Sequence, residues 1–282
     1  APIGTGPYRY VSYAAGSTVE LEANEEYWRE GEPHVKKLTF RIITDASSRA
    51  IEAESGGADI VYDISANDVE RVGANANVNL VSAAGYNTSY MLFNQNRGPL
   101  ADVRVRKAIC LAVDVPTAIQ VAYGSFGELA SGIVSPGVEG RHPDLSPYFP
   151  KRDLEQAKQL LAEAGYGNGL SLEIICENSN QQRMDFCEAV QAQLAEVGIT
   201  LTPNFLDTND WAATTINGGT DISVYGTTAS TGEAGRILMR FAPGTSEYGA
   251  VNWTGPEADA YADMINEALG TIDADARNAL YS

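Results

Sequence analysis

Near the C-terminal end the chain reads YGTTASTGEAGR, from Tyr225 to Arg236, a composition suited to holding a ligand. Small Gly, Ser and Thr residues between a strand-like and a helix-like stretch turn backbone N–H groups toward an anion. A phosphate cradle would add G-K-[ST] or G-x-G-x-x-G, and neither occurs, so that match is weak. Hydrolysis by a Ser or Cys nucleophile needs a base beside it. The two histidines, His34 and His142, sit in the loop-like strings EGEPHVKK and EGRHPDLSP, with no G-x-S-x-G nearby. TIDADAR carries calcium-like acids without the mid-loop glycine and distant glutamate of an EF-hand, and a helix start with Asp273 or Asp275 near its cap accounts for them. Paired carboxylates for glycoside hydrolysis cannot be singled out among 37 acids. No catalytic residue, metal ligand or cofactor is therefore assigned.

Cys110 lies in the apolar run AICLAV and reads as a buried, inert thiol. Cys176 and Cys187 would approach one another if a strand hands over to a helix between them, though spacing cannot establish a pair. Against the 37 acids stand 19 bases, giving a net charge of −18 distributed along the chain. Such a field repels phosphate backbones and anionic lipid, so nucleic acid is not an expected partner. No window approaches the length of apolar residues that spans a bilayer, and the first residues, APIGTGPYRY, lack the charged and apolar regions of a signal peptide. Fourteen tyrosines and three tryptophans suit a cleft for a polar ligand.

The elements that must position these residues divide into two styles. Early in the chain, YRYVSY and TVELEAN around the turn AAGS predict a hairpin, and VKKLTFRIIT a further strand. SSRAIEAESGG and ANDVERVGAN predict short helices, each followed by a predicted strand, ADIVYDI and VNLVSA. After the strand in NTSYMLF and a Pro-containing turn, DVRVRKAICLAVD opens a helix on an Asp cap. Helices and strands then alternate through DLEQAKQLLAEAGYG, LSLEIIC, SNQQRMDFCEAVQAQLAEVG, ITLTPNFL, TNDWAATTING and DISVYG. Alternation of this kind predicts a mostly parallel sheet covered by helices. Two folding units fit a chain of 282 residues.

Taken together, GTGPYRYVSYAAGSTVELEANEEYW, GGADIVYDI and YMLFNQNRGPLADVRVRKAICLAVD resemble the solute-binding proteins of dipeptide, oligopeptide and nickel ABC transporters, family 5. LAEAGYGNG, AVQAQLAEVGITL and VNWTGPEADAYADMINEALGTIDADARNALYS extend the resemblance over essentially the whole chain. One departure is Pro256-Glu257-Ala258-Asp259, where the family usually has asparagine and a following acid. The resemblance implies an α/β protein of the type II periplasmic-binding-protein kind, with two lobes of mixed sheets flanked by helices. Residues 1–88 would be an incomplete lobe I and 89–282 most of lobe II, the chain corresponding to an internal portion of longer family members. Missing half of the cleft, such a portion would bind ligand poorly.

The function so implied is non-enzymatic. The protein would capture a peptide-like ligand between its lobes outside the cytoplasm, in the periplasm or as a cell-surface lipoprotein, and deliver it as a monomer to the permease subunits of an ABC importer. A non-peptide ligand such as a sugar, opine or metal complex, and a ligand-sensing receptor domain, stand as alternatives. Cleft-facing residues would be Glu177, Asn178 and Ser179 after LSLEIIC, the loop Tyr225, Gly226, Thr227, Thr228, Ala229, Ser230 and Thr231, and Tyr90. Asn94, at a family-typical position, reads as structural, and Ser179 as a cap for the helix that follows. Peptide-binding members commonly carry G-W-x-x-D in this loop, its acid pairing with the ligand's α-amino group. Here Ala229 falls at that acid. Either another acid substitutes, Glu177 or Glu233, or the ligand is not a simple peptide, since a desolvated ammonium needs a partner. Glu233 could equally serve only the start of the next helix.

Overall fold

Helix starts follow directly from the sequence. Asp45, Asp102, Asp153, Asn180 and Asp207 each accept a first-turn backbone N–H with their side chains, satisfying donors that the helix itself cannot. The helices they open are α1 (Ala46–Ser55), α3 (Val103–Ala112), α5 (Leu154–Glu163), α6 (Gln181–Ala195) and α7 (Thr208–Ile216). The computed structural model describes residues 2–83, 85–145, 149–243 and 253–281, so Val251 and Asn252 of the VNWTG segment lie outside the described residues.

Two compact units divide between Val81 and Ser82. In the first, β1 (Tyr8–Ala14), β2 (Thr18–Ala23) and β3 (Lys37–Arg41) form an antiparallel sheet in the order β1-β2-β3. The expected hairpin turns at Ala14–Ser17, closed by the Ser17 N–H donating to Ala14 O at 3.0 Å, with Gly16 at φ 68°. A residue with a Cβ would resist that φ. The α1 helix ends where Gly56 takes φ 70°, and α2 (Ala66–Gly73) follows. Neither ADIVYDI nor VNLVSA forms a strand. Among the described residues no neighbouring strand completes a ladder with them, and Ile60 and Tyr62 stay 75% and 80% exposed. Alternating apolar residues make a strand only when a partner takes up the backbone donors and acceptors.

The second unit holds a four-stranded mixed sheet in the order β4-β7-β5-β6, made of β4 (Asn87–Phe93), β5 (Leu170–Glu177), β6 (Ile199–Leu206) and β7 (Ile222–Thr228). Strands β5, β6 and β7 run parallel, and β4 is antiparallel at the edge. The boundary expected at 88/89 falls inside β4: Asn87 and Thr88 already pair with Thr228 and Thr227 of β7, so the ladder carries them into the second unit. A buried core joins α3, α5 and α6 to the sheet through Val105, Ile109, Leu161, Leu172, Ile174, Val190, Leu194 and Ile222. Each fully buried aliphatic of this size contributes about 1.5–3 kcal/mol. Cys110 departs from expectation: it is exposed, because Ala108, Ile109 and Ala112 occupy the inward face of α3 and Cys110 turns away from it. Cys176 and Cys187 are buried free thiols in contact, on β5 and α6.

Helix α4 (Val115–Tyr123) went unpredicted, and the short α8 (Gly235–Met239) stands where a helix was expected after the loop. After them come α9 (Pro256–Gly270) and α10 (Ala274–Tyr281), the latter capped by Asp273, which accepts the Ala276 N–H at 2.9 Å. Among the described residues no single helix is long and apolar enough to cross a membrane.

Candidate functional site

The chain passes from β5 through α6 to β6 on one side, then crosses back through α7 to place β7 on the other side of β5. Ligands of open α/β sheets settle where connections diverge in this way, beyond the C-terminal ends of the strands. Glu177 ends β5, Thr228 ends β7, and Asn87, opposite Thr228, begins the antiparallel β4. One end of the sheet thus gathers most of the predicted residues. Asn94 holds the other end of β4 as a structural residue: its Nδ2 donates to Gly218 O at 2.9 Å and to Thr220 O at 3.0 Å, setting the turn into β7.

From this sheet end the aromatics form a continuous row that runs back to the middle of the β4–β7 ladder, where Tyr90 pairs with Tyr225. Trp211 of α7 stacks on Tyr225 with centroids 4.9 Å apart, Tyr225 faces Tyr90 at 6.2 Å, and Tyr90 meets Phe241 edge-on at 5.5 Å. The Tyr90 and Thr227 hydroxyls share a hydrogen bond, and Asn87 Nδ2 donates to Thr228 Oγ1 at 3.0 Å. The alternation of strand side chains explains why Tyr90, Tyr225 and Thr227 meet on one face while Gly226 and Thr228 point to the other.

Glu177 is engaged within the protein. Its Oε1 lies 2.5 Å from Arg183 Nη1, with side-chain exposures of 17% and 9%. The guanidinium also sits 5.9 Å from the Trp211 ring centroid, within cation–π range. Arg183 packs so closely over β7 that a Cβ on Gly226 would run into its Nη2. Glycine at 226 thus leaves room for the guanidinium where it lies, and a larger residue would make it shift. Two buried donors in this cluster, Arg183 Nε and Trp211 Nε1, have no hydrogen-bond partner among the described residues, an uncommon condition for buried polar atoms.

Glu233 is engaged as well. Arg277 Nε lies 2.7 Å from its Oε1, and Tyr281 donates its hydroxyl to the same oxygen at 3.1 Å. Both partners belong to α10. The loop is braced on the same side by a short bridge: Glu139 N–H donates to Gly232 O, and Ala234 N–H to Glu139 O, both at 2.9 Å. Glu233 therefore ties the loop to α10, a role its position before α8 did not suggest.

Ala229 is buried among Val134, Val138, Ala234 and Ile237. Counted from Gly226 instead of Tyr225, the acid of G-W-x-x-D falls one residue beyond the expected Ala229, at Ser230, which is neutral and exposed like Thr231, whereas an acid at Ala229 would sit among apolar groups. Asn178 and Ser179 are exposed in the β5–α6 connection, and Asn178 N–H donates to Leu206 O at 2.7 Å. The α6 cap expected at Ser179 is instead Asn180, whose Oδ1 accepts from Arg183 N–H at 3.0 Å. One residue of register separates the two, which sequence patterns do not resolve.

A shallow pocket opens at the end of β7, lined by Thr227, Thr228, Ala229, Ser230, Thr231, Ile237 and two arginines, Arg236 and Arg240. The arginines, with Arg183, Trp211 and Phe241, are the residues that sequence reasoning missed. Arg236 closes the quoted loop, yet motif matching passed over it because the G-K-[ST] order was absent. Nothing local in QQRMDF marks Arg183, whose place depends on β5, β7 and α7 meeting. Among the described residues no group of three or more His, Cys, Asp or Glu side chains is placed to hold a metal ion.

The sequence profile of the bacterial extracellular solute-binding proteins, family 5 Middle, matches residues 1–249. Heme-binding protein A of Haemophilus influenzae is 28% identical over 286 residues, which is 99% of this chain and 51% of that protein. The dipeptide-binding protein of Escherichia coli K12 is 29% identical over 287 residues, 99% of this chain and 52% of its own length. Among solved structures, the ABC transporter-associated periplasmic binding protein DppA from Helicobacter pylori, in complex with the peptide STSA, aligns with a TM-score of 0.88. Its identity is 25%, covering 99% of this chain and 54% of that one. The chain spans about half the length of the relatives it matches.

Proposed function

Because the chain belongs to the bacterial extracellular solute-binding proteins of family 5, we propose that the whole protein captures a small-molecule ligand outside the cytoplasm and delivers it to the permease of an ABC importer. Its α/β fold is of the type II periplasmic-binding-protein class. Residues 1–81 would then contribute to lobe I and 82–282 to lobe II, adjusting the expected boundary to the division of the units. The ligand would bind and dissociate without covalent change, its contacts to both lobes stabilising a closed state.

The observation that carries this reading is the convergence of Glu177, Arg183, Trp211, Tyr225, Thr227 and Tyr90 on one end of the second unit's sheet. Flat aromatic surface beside hydroxyls and buried unpaired donors is the chemistry of a site that holds a polar organic ligand by stacking and hydrogen bonds. The named ligands of the relatives, heme and a dipeptide, are of that kind.

A non-peptide ligand, or a peptide held without the usual ammonium pair, is favoured by one specific set of contacts. Glu177 is paired with Arg183, Glu233 with Arg277, and Ala229 is buried, so neither candidate acid is available to an α-amino group without breaking an existing pair. The test is a thermal-shift panel of dipeptides, glutathione, heme, opines, oligosaccharides and nickel complexes on the full-length protein, since binding to the native state raises the melting temperature. Any hit is repeated with Tyr225→Ala. A hit whose affinity survives that substitution unchanged would remove this sheet end from the cleft, and a panel confined to α-amino ligands would overturn the non-peptide reading.

A further inference from the structure

We infer that the pocket at the end of β7 binds a small oxyanion group of the ligand, a carboxylate or a phosphoryl group, with Arg236 as its principal charged contact. This rests on the reading that the sheet-end loops form one wall of the ligand cleft. Arg236 and Arg240 both line the pocket, together with Thr227, Thr228, Ser230 and Thr231, and among the described residues no acid lines it. In a chain with 37 acids and 19 bases, two arginines lining one pocket, with no carboxylate among its described lining residues, depart from the overall charge.

The nearby acids are held elsewhere. Glu233, within the same loop, pairs with Arg277 and accepts the Tyr281 hydroxyl, and Glu139 accepts from Asn278 Nδ2 at 3.1 Å. Several arginines elsewhere in the unit are paired with acids, as Arg97 is with Asp221 at 3.0 Å, Arg104 with Asp102 at 2.6 Å and Arg152 with Glu196 at 2.7 Å, while Arg106 donates to backbone carbonyls and Arg141 to the Ser131 hydroxyl. Arg236 makes no hydrogen bond or ion pair among the described residues, and it is exposed. An arginine left unpaired on so acidic a chain keeps its whole planar fork for an incoming oxyanion, which it can grip through two parallel N–H···O bonds. The loop is braced for this by the Glu139 bridge and by α10, so its hydroxyls and backbone need little ordering when a ligand arrives. The pocket is small and polar, matched to one charged group and not to a whole ligand.

The full-length protein is titrated with sodium succinate, with inorganic phosphate and with succinamide, the neutral isostere of succinate, at constant ionic strength, following the melting temperature and the heat of binding. One or both anions should stabilise the protein saturably and succinamide should not, and comparing the two anions identifies the group preferred. Arg236→Gln should weaken the anion about tenfold or more, the size of a charge-assisted hydrogen bond. Arg236→Lys should retain part of the binding. Since Arg236 is exposed, both variants should melt with the wild type when no anion is present. The inference is overturned if succinamide matches succinate, if Arg236→Gln binds the anion like wild type, or if neither anion gives a saturable response. A ligand from the broader panel that binds wild type and Arg236→Gln equally would also overturn it, while leaving the solute-binding reading in place.

Discussion

Replacing Arg183 by methionine should reveal whether Glu177 is locked inside the protein or free for a ligand. The pair lies 2.5 Å apart with side-chain exposures of 9% for Arg183 and 17% for Glu177, so both charges have lost most of their water. Removing one partner of a buried pair costs about 3–5 kcal/mol, because the other charge is left uncompensated. The residual exposure of Glu177 places Arg183→Met at the lower end, about 3 kcal/mol. Replacing both residues by neutral shapes is expected to bring the protein back to within about 1 kcal/mol of wild type. The loss of the cation on Trp211, about 0.5–1 kcal/mol, is shared by the single and double variants and cancels in the coupling. A double-mutant cycle of Arg183→Met and Glu177→Gln, read by urea unfolding at neutral pH, should therefore give a coupling of about 2 kcal/mol or more. It should change little between low and high salt, since a buried pair is poorly screened. A cost below about 1 kcal/mol for Arg183→Met, or a coupling abolished by salt, would show that Glu177 is solvated and would restore it as an ammonium partner.

Three further outcomes follow from named contacts. Ala229→Asp should destabilise by about 2–4 kcal/mol because its carboxyl enters an apolar cluster, while Ser230→Asp, which restores G-x-x-x-D counted from Gly226, is exposed and should stay within about 0.5 kcal/mol of wild type; unfolding midpoints that reverse this order would refute the placement of the loop. Hydrogen bonds from the Arg104 side chain and backbone pull Asp102 down to about 2. A depressed carboxyl contributes stability that is fully present above its unfolded value near 3.9 and lost as pH falls through about 2. Asp102→Asn should thus flatten the stability profile between about pH 4 and 2, and an unchanged acid profile would contradict that role. Cys176 and Cys187 touch as thiols, with the Cys187 thiol pushed up by its hydrogen bond to Cys176 and by burial. Both should resist a thiol reagent in the native protein and react once it is unfolded, as read by mass spectrometry; native labelling at the rate of Cys110, or a mass two hydrogens lower, would rule out that arrangement.

The sequence by itself determined the elements whose causes are local. Aspartate caps, glycine stops and alternating apolar residues placed the β1–β2 hairpin, α1, α3, α5, α6 and α7 and strands β4 to β7, since these depend on neighbours a few residues away. The ordered motifs beside them carried the family. Local pattern misled where an element needs a distant partner. ADIVYDI and VNLVSA alternate correctly but have no ladder to join, and AICLAV reads as uniformly buried although the helical period turns Cys110 outward. Within YGTTASTGEAGR, composition predicted a ligand loop, but the contacts its residues make came only from the tertiary structure. Arg277 and Tyr281, far along the chain, claim Glu233, and an apolar cluster covers Ala229. The pairing of Glu177 with Arg183 likewise requires β5 and α6 to come together, beside Gly226 of β7. Residue types and spacing state what chemistry is on offer; which charges remain free for a ligand is decided by which ones the fold has already paired.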